Sequence, residues 1–374
     1  MKPKILVISQ EQIGYLIDYY KYTQYLKNDF GITLCCWDYN RPKMEIDGVS
    51  IVYVSRKGNI FFRNIRFIFK VFKLCKKQKY DLIFINYFRG CSIVSFFAKS
   101  KPKILDIRTS CIHTSKIYRE VQNHLIYVES LLYNKITIIS TGLADLLHIS
   151  MSKIVELPLG ADTISVSPKK YRKIDLLYVG TLYNRRIEDT IIGFKKFIDN
   201  RKDYTSTYTI IGAGWKNEEA ELRSLILSLG LEKQVFMYGY IKYELLIQYF
   251  EKATIGISYI PITPYYQFQP STKTFEYLQA GLPVVATNTI ENAKVITQEN
   301  GCLIEDNPDS FVWGLQNIVD SFGSFDMKRI QESIINYTWP NICNNLKNII
   351  IDEIHKNIVR KKTISPSGII RNKC

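Results

Sequence analysis

Short apolar runs, separated by longer segments with helical spacing of apolar residues, set the pattern of this chain. Residues 4–9 (KILVIS), 33–38, 50–54, 81–87, 103–107 and 135–140 have the length and β-branched character of buried strands. A turn over 154–162 (IVELPLGAD) closes this series, and a polar, basic stretch over 165–173 reads as a linker. A second series follows at once, with runs at 174–179, 208–212, 234–238, 254–259, 282–286 and 301–304. Helical patterns at 187–200, 218–229, 243–252 and 308–321 lie between those runs. Strand and helix in alternation predict an α/β protein built on parallel sheets. The pattern divides into two doubly wound, Rossmann-like domains, residues 1–164 and 165–336. The remainder, 337–374, combines a helix over 339–356, expected to cross back to the first domain, with a frayed basic tail over 360–374. Doubly wound sheets take ligands outside the carboxyl ends of their strands, so the two domains are expected to face each other across a binding cleft.

Composition narrows the partners. With 374 residues, 46% of them apolar and 23% charged, each domain can bury its own core as a soluble globular unit. The net charge of +15 and pI near 9.2 favour anions: nucleic acid, acidic lipid or a phosphorylated substrate. Cysteines 35, 36, 75, 91, 111, 302, 343 and 374 show no CxxC or metal-ligand spacing. Without a secretory signal at the N-terminus, they read as reduced thiols of a cytoplasmic protein, with Cys35 and Cys36 as small core residues. No apolar run reaches the roughly 18 residues that a spanning helix needs.

The densest chemistry lies in residues 269–288, QPSTKTFEYLQAGLPVVATN. Pro270, Ser271 and Thr272 form a helix entry, a rigid turn followed by hydroxyls able to cap free N–H groups. Lys273 and Glu276, one turn apart, share a side of the short helix. Gly281 ends it, Pro283 prevents its resumption, and Val284, Val285 and Ala286 suit a buried parallel strand. A helix start beside a lysine is a ready anion site, with diphosphate as the natural guest. Glu276 could accept hydrogen bonds from a ribose diol. The same residues would also serve in an ordinary helix–turn–strand unit with Glu276 solvated.

This segment resembles the donor-binding helix of retaining glycosyltransferases of family four, the group 1 glycosyl transferases of GT-B fold. Further landmarks match in order over nearly the whole chain: Ile13-Gly14, LYVGTL at 177–182, TIIGAG at 209–214, VFMYG at 235–239, ATIGIS at 253–258, and residues 140–147 and 157–162. The resemblance implies a glycine loop at Gly14 facing the transferred sugar, and tight glycine turns at Gly180 and Gly212. It implies Ser271, Thr272 and Lys273 at the diphosphate and Glu276 at the ribose. Where the family has an arginine after the glycine of LYVG this chain has Thr181, and Arg185 and Arg186 stand near the family's second basic position. At least one of the two arginines is expected to hold the diphosphate, the other lying in a solvated loop. His113 falls where relatives place a sugar-touching group, a structural role being the other reading. Asp106 and Arg108 either face the cleft or pair as a buried brace. Counting eight positions back from Glu276, where relatives carry a second glutamate, lands on Phe268, leaving Gln267, Gln269 or a backbone amide for the sugar.

The resemblance further implies front-face retaining transfer, in which the leaving diphosphate helps deprotonate the acceptor, with cations from Arg and Lys in place of a metal. The nucleoside-diphosphate sugar, UDP- or GDP-linked, would be a co-substrate, with no separate cofactor. Residues 56–79 (RKGNIFFRNIRFIFKVFKLCKKQK) hold nine basic residues and no acidic one. Phe61, Ile65, Ile68, Phe69 and Phe72 share one helical face, and Arg63, Arg66, Lys70, Lys73 and Lys77 another. That profile fits a helix lying on an anionic membrane; the βαβ setting favours packing of the Phe face on its own sheet, and the basic face is still expected to draw the domain to a membrane surface. The expected activity is hexose-type transfer onto a glycan or polyprenyl-diphosphate-linked acceptor for a surface polysaccharide, in the cytoplasm or against the inner membrane face. The alternatives are a GT-B nucleotide-sugar epimerase and a non-catalytic nucleic-acid-binding protein. Nucleic acid is not the expected partner, because the densest basic run is amphipathic rather than interleaved with stacking aromatics.

Overall fold

The computed structural model describes residues 2–99, 101–164, 166–167 and 173–364. The chain forms two compact units, one of residues 1–157 together with 340–374, the other of 158–339. The changeover at Leu157/Pro158 precedes the expected linker over 165–173, most of which lies outside the described residues, as do residues 365–374 of the basic tail.

The first unit carries a seven-stranded sheet: β1 (Lys4–Ile8), β2 (Gly31–Asp38), β3 (Ser50–Ser55), β4 (Leu82–Asn86), β5 (Lys103–Ile107), β6 (Lys135–Ile138) and β7 (Ile154–Glu156), in the order β3-β2-β1-β4-β5-β6-β7. The second carries six: β8 (Ile174–Val179), β9 (Ser206–Ile211), β10 (Val235–Tyr238), β11 (Ile255–Ser258), β12 (Val284–Thr287) and β13 (Gly301–Ile304), in the order β10-β9-β8-β11-β12-β13. All these pairings are parallel. Each sheet therefore reverses its winding once, beside β1/β4 and β8/β11, and a crevice opens at such a reversal. The runs form strands because they are apolar on both faces: Leu6, Leu34, Leu82, Ile83 and Ile104 are fully buried. In the second unit Phe194, Phe197, Tyr208, Ile257, Phe311 and Leu315 fill the space between sheet and helices.

Three segments differ from the sequence pattern. Residues 154–156, expected as a turn, pair with β6 as an edge strand. The segment 243–252 divides into a 3₁₀ turn (Tyr243–Leu245) and a short helix (Ile247–Lys252). The last helix runs Trp339–Ile364 rather than ending at 356, because no glycine or proline interrupts it before Pro366. Pro340 sits in its first turn, where the missing N–H costs nothing. Lys347 of this helix bonds Asp29 of the first unit at 2.6 Å.

The basic helix Ile60–Lys77 is the larger surprise. Its buried residues are Phe67 and Val71, with Phe67 packed against Trp37 at 4.6 Å and Phe88 at 5.5 Å between ring centroids. Phe61 and Phe69 are 66% and 53% exposed, and Ile60, Phe62 and Ile65 are exposed with them. Phe72 meets Phe97 at the side of the helix. Of the stripe expected to pack on the sheet, Phe61, Ile65 and Phe69 face outward while Ile68 and Phe72 are half-buried, because apolar residues occur nearly all round this helix and the narrow seam 67/71 is what is buried.

Candidate functional site

At the carboxyl ends of β8 and β9 two glycine turns interlock. Gly180 (φ +151°) and Gly212 (φ +154°) occupy backbone conformations that L side chains rarely adopt, and a Cβ on Gly212 would run into the Gly180 carbonyl. Gly180 N–H donates to Ile211 O (2.9 Å) and Leu182 N–H to Ala213 O (3.0 Å), closing the two loops together. Thr181 braces the turn: its carbonyl accepts from the Tyr178 hydroxyl (2.6 Å) and its hydroxyl from Tyr183 N–H (3.3 Å). Glu218 bridges both loops, accepting from Trp215 N–H (2.9 Å) and Asn184 N–H (3.3 Å). Tyr183 and the exposed Trp215 stack at 5.4 Å beside these turns. This aromatic pair escaped the sequence reading because nothing in their spacing, 183 and 215, joins them.

The helix Thr272–Gln279 is set by Tyr277. The ring fills the space that a side chain on Gly256 of β11 would take, and its hydroxyl accepts Val179 N–H at 2.8 Å, immediately before Gly180. The same contact places Lys273 next to Gly180. The Lys273 Nζ is buried, has no hydrogen-bond partner among the described residues, and lies 3.9 Å from the centroid of the Tyr178 ring. Arg185 lies 4.3 Å over the Tyr266 ring, and its Nη1 is likewise buried without a partner. Burial and the nearby Arg185 guanidinium push the Lys273 ammonium well below the usual lysine range, with Glu276 opposing. Glu276 is raised from 4.5 to about 7 by burial and then by Asp162, again with Lys273 opposing. Asp162 accepts a hydrogen bond from the Tyr243 hydroxyl, whose proton is held more tightly by burial and by both carboxylates. An unpartnered Lys273 Nζ and an unpartnered Arg185 Nη1, close to each other at the glycine turns, make a place where an anion would be favoured, and a carboxylate near its ionisation point stands one turn away. Ser271 occupies the N-cap position, yet its side chain makes no cap bond, contrary to the capping role expected of the hydroxyls; Thr272 follows as the first helical residue.

Residues 173–321, within the second unit, match the family described as glycosyl transferases group 1. Sucrose-phosphate synthase from Thermosynechococcus elongatus resembles this chain at TM-score 0.75 and 14% identity, over 95% of this chain and 100% of its own. HepE from Anabaena, crystallised with UDP and glucose, resembles it at TM-score 0.76 and 12% identity, over 94% and 100%. The lipopolysaccharide outer core galactosyltransferase WaaB does so at TM-score 0.69 and 16% identity, over 94% and 99%. The fold is GT-B. No curated protein sequence matches the chain.

Within this GT-B chain the two adjacent arginines part company. Arg186, at the N-cap of the helix Ile187–Asn200 with φ +53°, binds Asp189 (2.7 Å) and Asp306 (3.1 Å), so its charge is already matched. Gln267, one candidate for the contact that Phe268 cannot make, accepts Ile290 N–H through Oε1 at 2.9 Å and is tied to the first residue of the next helix. In the first unit, Asp106 and Arg108 are buried in one network rather than exposed at a cavity. Asp106 accepts from Tyr19 (2.8 Å) and Thr137 (2.7 Å), and Arg108 binds Asp18 (3.0 Å) with Asp106 at 4.0 Å. That is the brace reading. His113 lies on an exposed loop, where Nδ1 accepts Ser115 N–H (3.0 Å) and the ring meets Tyr118. Gly14, at φ +90°, lies against the Met44 side chain. Asp162 and Tyr243 are the polar neighbours of Glu276 that sequence reasoning missed; Asp162 ends the landmark 157–162, but its closeness to Glu276 depends on the fold.

Proposed function

We infer that this protein transfers a sugar from a nucleoside-diphosphate sugar to a glycan acceptor, with retention at the transferred carbon. The observation that carries the reading is the buried Lys273 ammonium without a hydrogen-bond partner at the Gly180 turn, one helical turn from Glu276, with the half-buried Arg185 beside it presenting a buried Nη1 that has no partner either. A diphosphate there would restore the Lys273 charge that burial suppresses. As the bond to the sugar breaks, negative charge grows on that diphosphate, and fixed cations in a dry site stabilise it best at that moment. The acceptor hydroxyl would attack from the same face and pass its proton to the departing diphosphate oxygen, so the protein needs no separate base, and Lys273 and Arg185 take the part a metal would otherwise play. Glu276 would bind the ribose diol. HepE in complex with UDP-glucose supports a UDP-linked donor for a fold of this kind. WaaB and WaaG, both named for lipopolysaccharide, support a surface glycan as the product.

The exposed Phe61, Phe62, Ile65 and Phe69, beside Arg63, Lys70, Lys73 and Lys77, support reaction at an anionic cytoplasmic membrane face, on a lipid-linked acceptor. No described helix is long and apolar enough to cross that membrane. The test is a thermal-unfolding screen with UDP- and GDP-sugars. A true donor at a hundredfold excess over Kd should add about 2.7 kcal/mol of apparent stability. Lys273→Ala and Arg185→Ala should each weaken the nucleotide roughly 10- to 100-fold, while Arg186→Ala retains the shift on a less stable fold. If no nucleotide-sugar shifts the wild-type transition, the reading is wrong.

A further inference from the structure

The loops leaving β1, β2 and β3 converge on Tyr39, at the carboxyl ends of the first sheet. Arg56, just past β3, lies 4.1 Å from the centroid of the Tyr39 ring. Arg41 approaches the same ring at 5.4 Å and lies 4.6 Å over Tyr15. Burial holds the Tyr39 proton more tightly, as does Glu11, while Arg56, Arg41 and Arg63 oppose them, so all three guanidiniums act at this one place. Neither Arg41 nor Arg56 pairs with a carboxylate among the described residues, and the Arg56 Nε is buried without a hydrogen-bond partner. Asp38, the acid closest in sequence, is held by Lys43 at 3.1 Å.

The loops carrying these arginines are fixed. Gln12, wholly buried, donates through Nε2 to the carbonyls of Arg41 (3.0 Å) and Pro42 (3.1 Å) and accepts Tyr39 N–H at 2.8 Å. Arg66 donates to the carbonyls of Ser55 and Lys57, both at 2.9 Å, holding the turn that carries Arg56 between them. Gathering like charges around one ring costs free energy at rest, and a rigid frame that maintains the arrangement is built for an anion.

We propose that Arg41 and Arg56, framed by Tyr15 and Tyr39, bind the diphosphate of a lipid-linked acceptor. Planar guanidinium forks match phosphoryl oxygens bidentately. Ile60, Phe61 and Phe62, exposed at the start of the next helix, continue from Arg56 with an apolar surface for the first isoprenoid units. Charge and apolarity in that order fit a prenyl diphosphate rather than a free sugar phosphate. The assignment rests on the lipid-linked acceptor inferred above, but the site lies in the first unit and can be tested apart from the donor.

The test is calorimetric titration of the full chain at low salt with farnesyl diphosphate and, separately, with UDP. Arg41→Gln combined with Arg56→Gln should weaken farnesyl diphosphate roughly 10- to 100-fold and leave UDP unchanged. Arg185→Gln combined with Lys273→Ala should do the reverse. Unchanged farnesyl diphosphate binding in the first variant overturns the assignment. If that variant fails to unfold cooperatively, the exposed Arg41→Gln alone serves, with a loss of roughly tenfold expected. Vesicles of phosphatidylcholine doped with farnesyl diphosphate or with phosphatidylglycerol separate headgroup from surface. A loss confined to the former supports the site, and an equal loss on both overturns it in favour of a general anionic surface. If UDP fails to bind the wild type while the farnesyl diphosphate result holds, the donor reading fails and this one stands.

Discussion

Glu276 shows how burial turns an ordinary side chain into a poised one. Its carboxyl is raised from 4.5 to about 7 by burial and by Asp162. A raised folded pKa means that the folded state holds the proton more tightly than the unfolded chain. The resulting stability is fully present below about pH 4.5 and is lost as pH rises through about 7, a cost on the order of 3 kcal/mol above that range. Glu276→Gln removes this cost. The variant should melt close to wild type at pH 5 and several degrees above it at pH 8, and it should bind UDP more weakly at both. The depressed Lys273 contributes with the opposite sign, and the comparison between the two proteins largely cancels it. Differential scanning calorimetry at the two pH values is the measurement. An equal melting difference at both would show that Glu276 is not the titrating group. The adjacent Arg185 and Arg186 make the complementary point: identical side chains differ in role because one meets Asp189 and Asp306 while the other has a buried nitrogen left unpaired.

Among the elements, the helix Ile60–Lys77 is the one whose face could not be read from its apolar positions. A buried phenylalanine in contact with Trp37 and Phe88 should be costly to remove, and Phe67→Ala is expected to destabilise by about 3–5 kcal/mol. Phe61→Ser together with Phe69→Ser removes larger apolar area from the sequence, yet both rings are exposed, so stability should change by only about 0.5 kcal/mol. Urea unfolding midpoints decide between the two faces, and a large loss in the second variant would place the Phe stripe in the core after all. The helix Thr272–Gln279 behaved differently: its bounds and its Lys273/Glu276 side were legible, because proline, glycine and a one-turn spacing are local signals. What those residues touch was not local. Tyr277 reaches Val179, and Lys273 reaches Gly180, across more than ninety positions of chain.

For the whole molecule the relevant quantity is charge distribution. The net charge of +15 does not sit evenly, since the run at 56–79 alone holds nine basic residues and no acidic one. If that face meets anionic lipid, attraction is screened within about 10 Å at 0.1 M salt. Wild-type protein should therefore bind phosphatidylglycerol vesicles at low salt and be released as salt rises. Phe61→Ser with Phe69→Ser should weaken this binding, and Lys70, Lys73 and Lys77 changed to Gln should flatten its salt dependence. Vesicle sedimentation reads both effects. Binding that ignores salt and all five substitutions would remove the membrane from the account.

The sequence by itself determined the alternation of strand and helix, and from it the two parallel sheets. Short buried strands and their breakers are written in adjacent residues. It also determined the glycine turns at 180 and 212 and the helix start at 271–273, because backbone conformation limits which residues fit there. Tertiary structure alone decided which charges are satisfied. Arg185 against Arg186, Asp162 beside Glu276, Phe67 inward and Phe69 outward, and Arg41 with Arg56 around Tyr39 all depend on contacts between distant segments. Burial and electrostatics act through space, and no local pattern of residues records them.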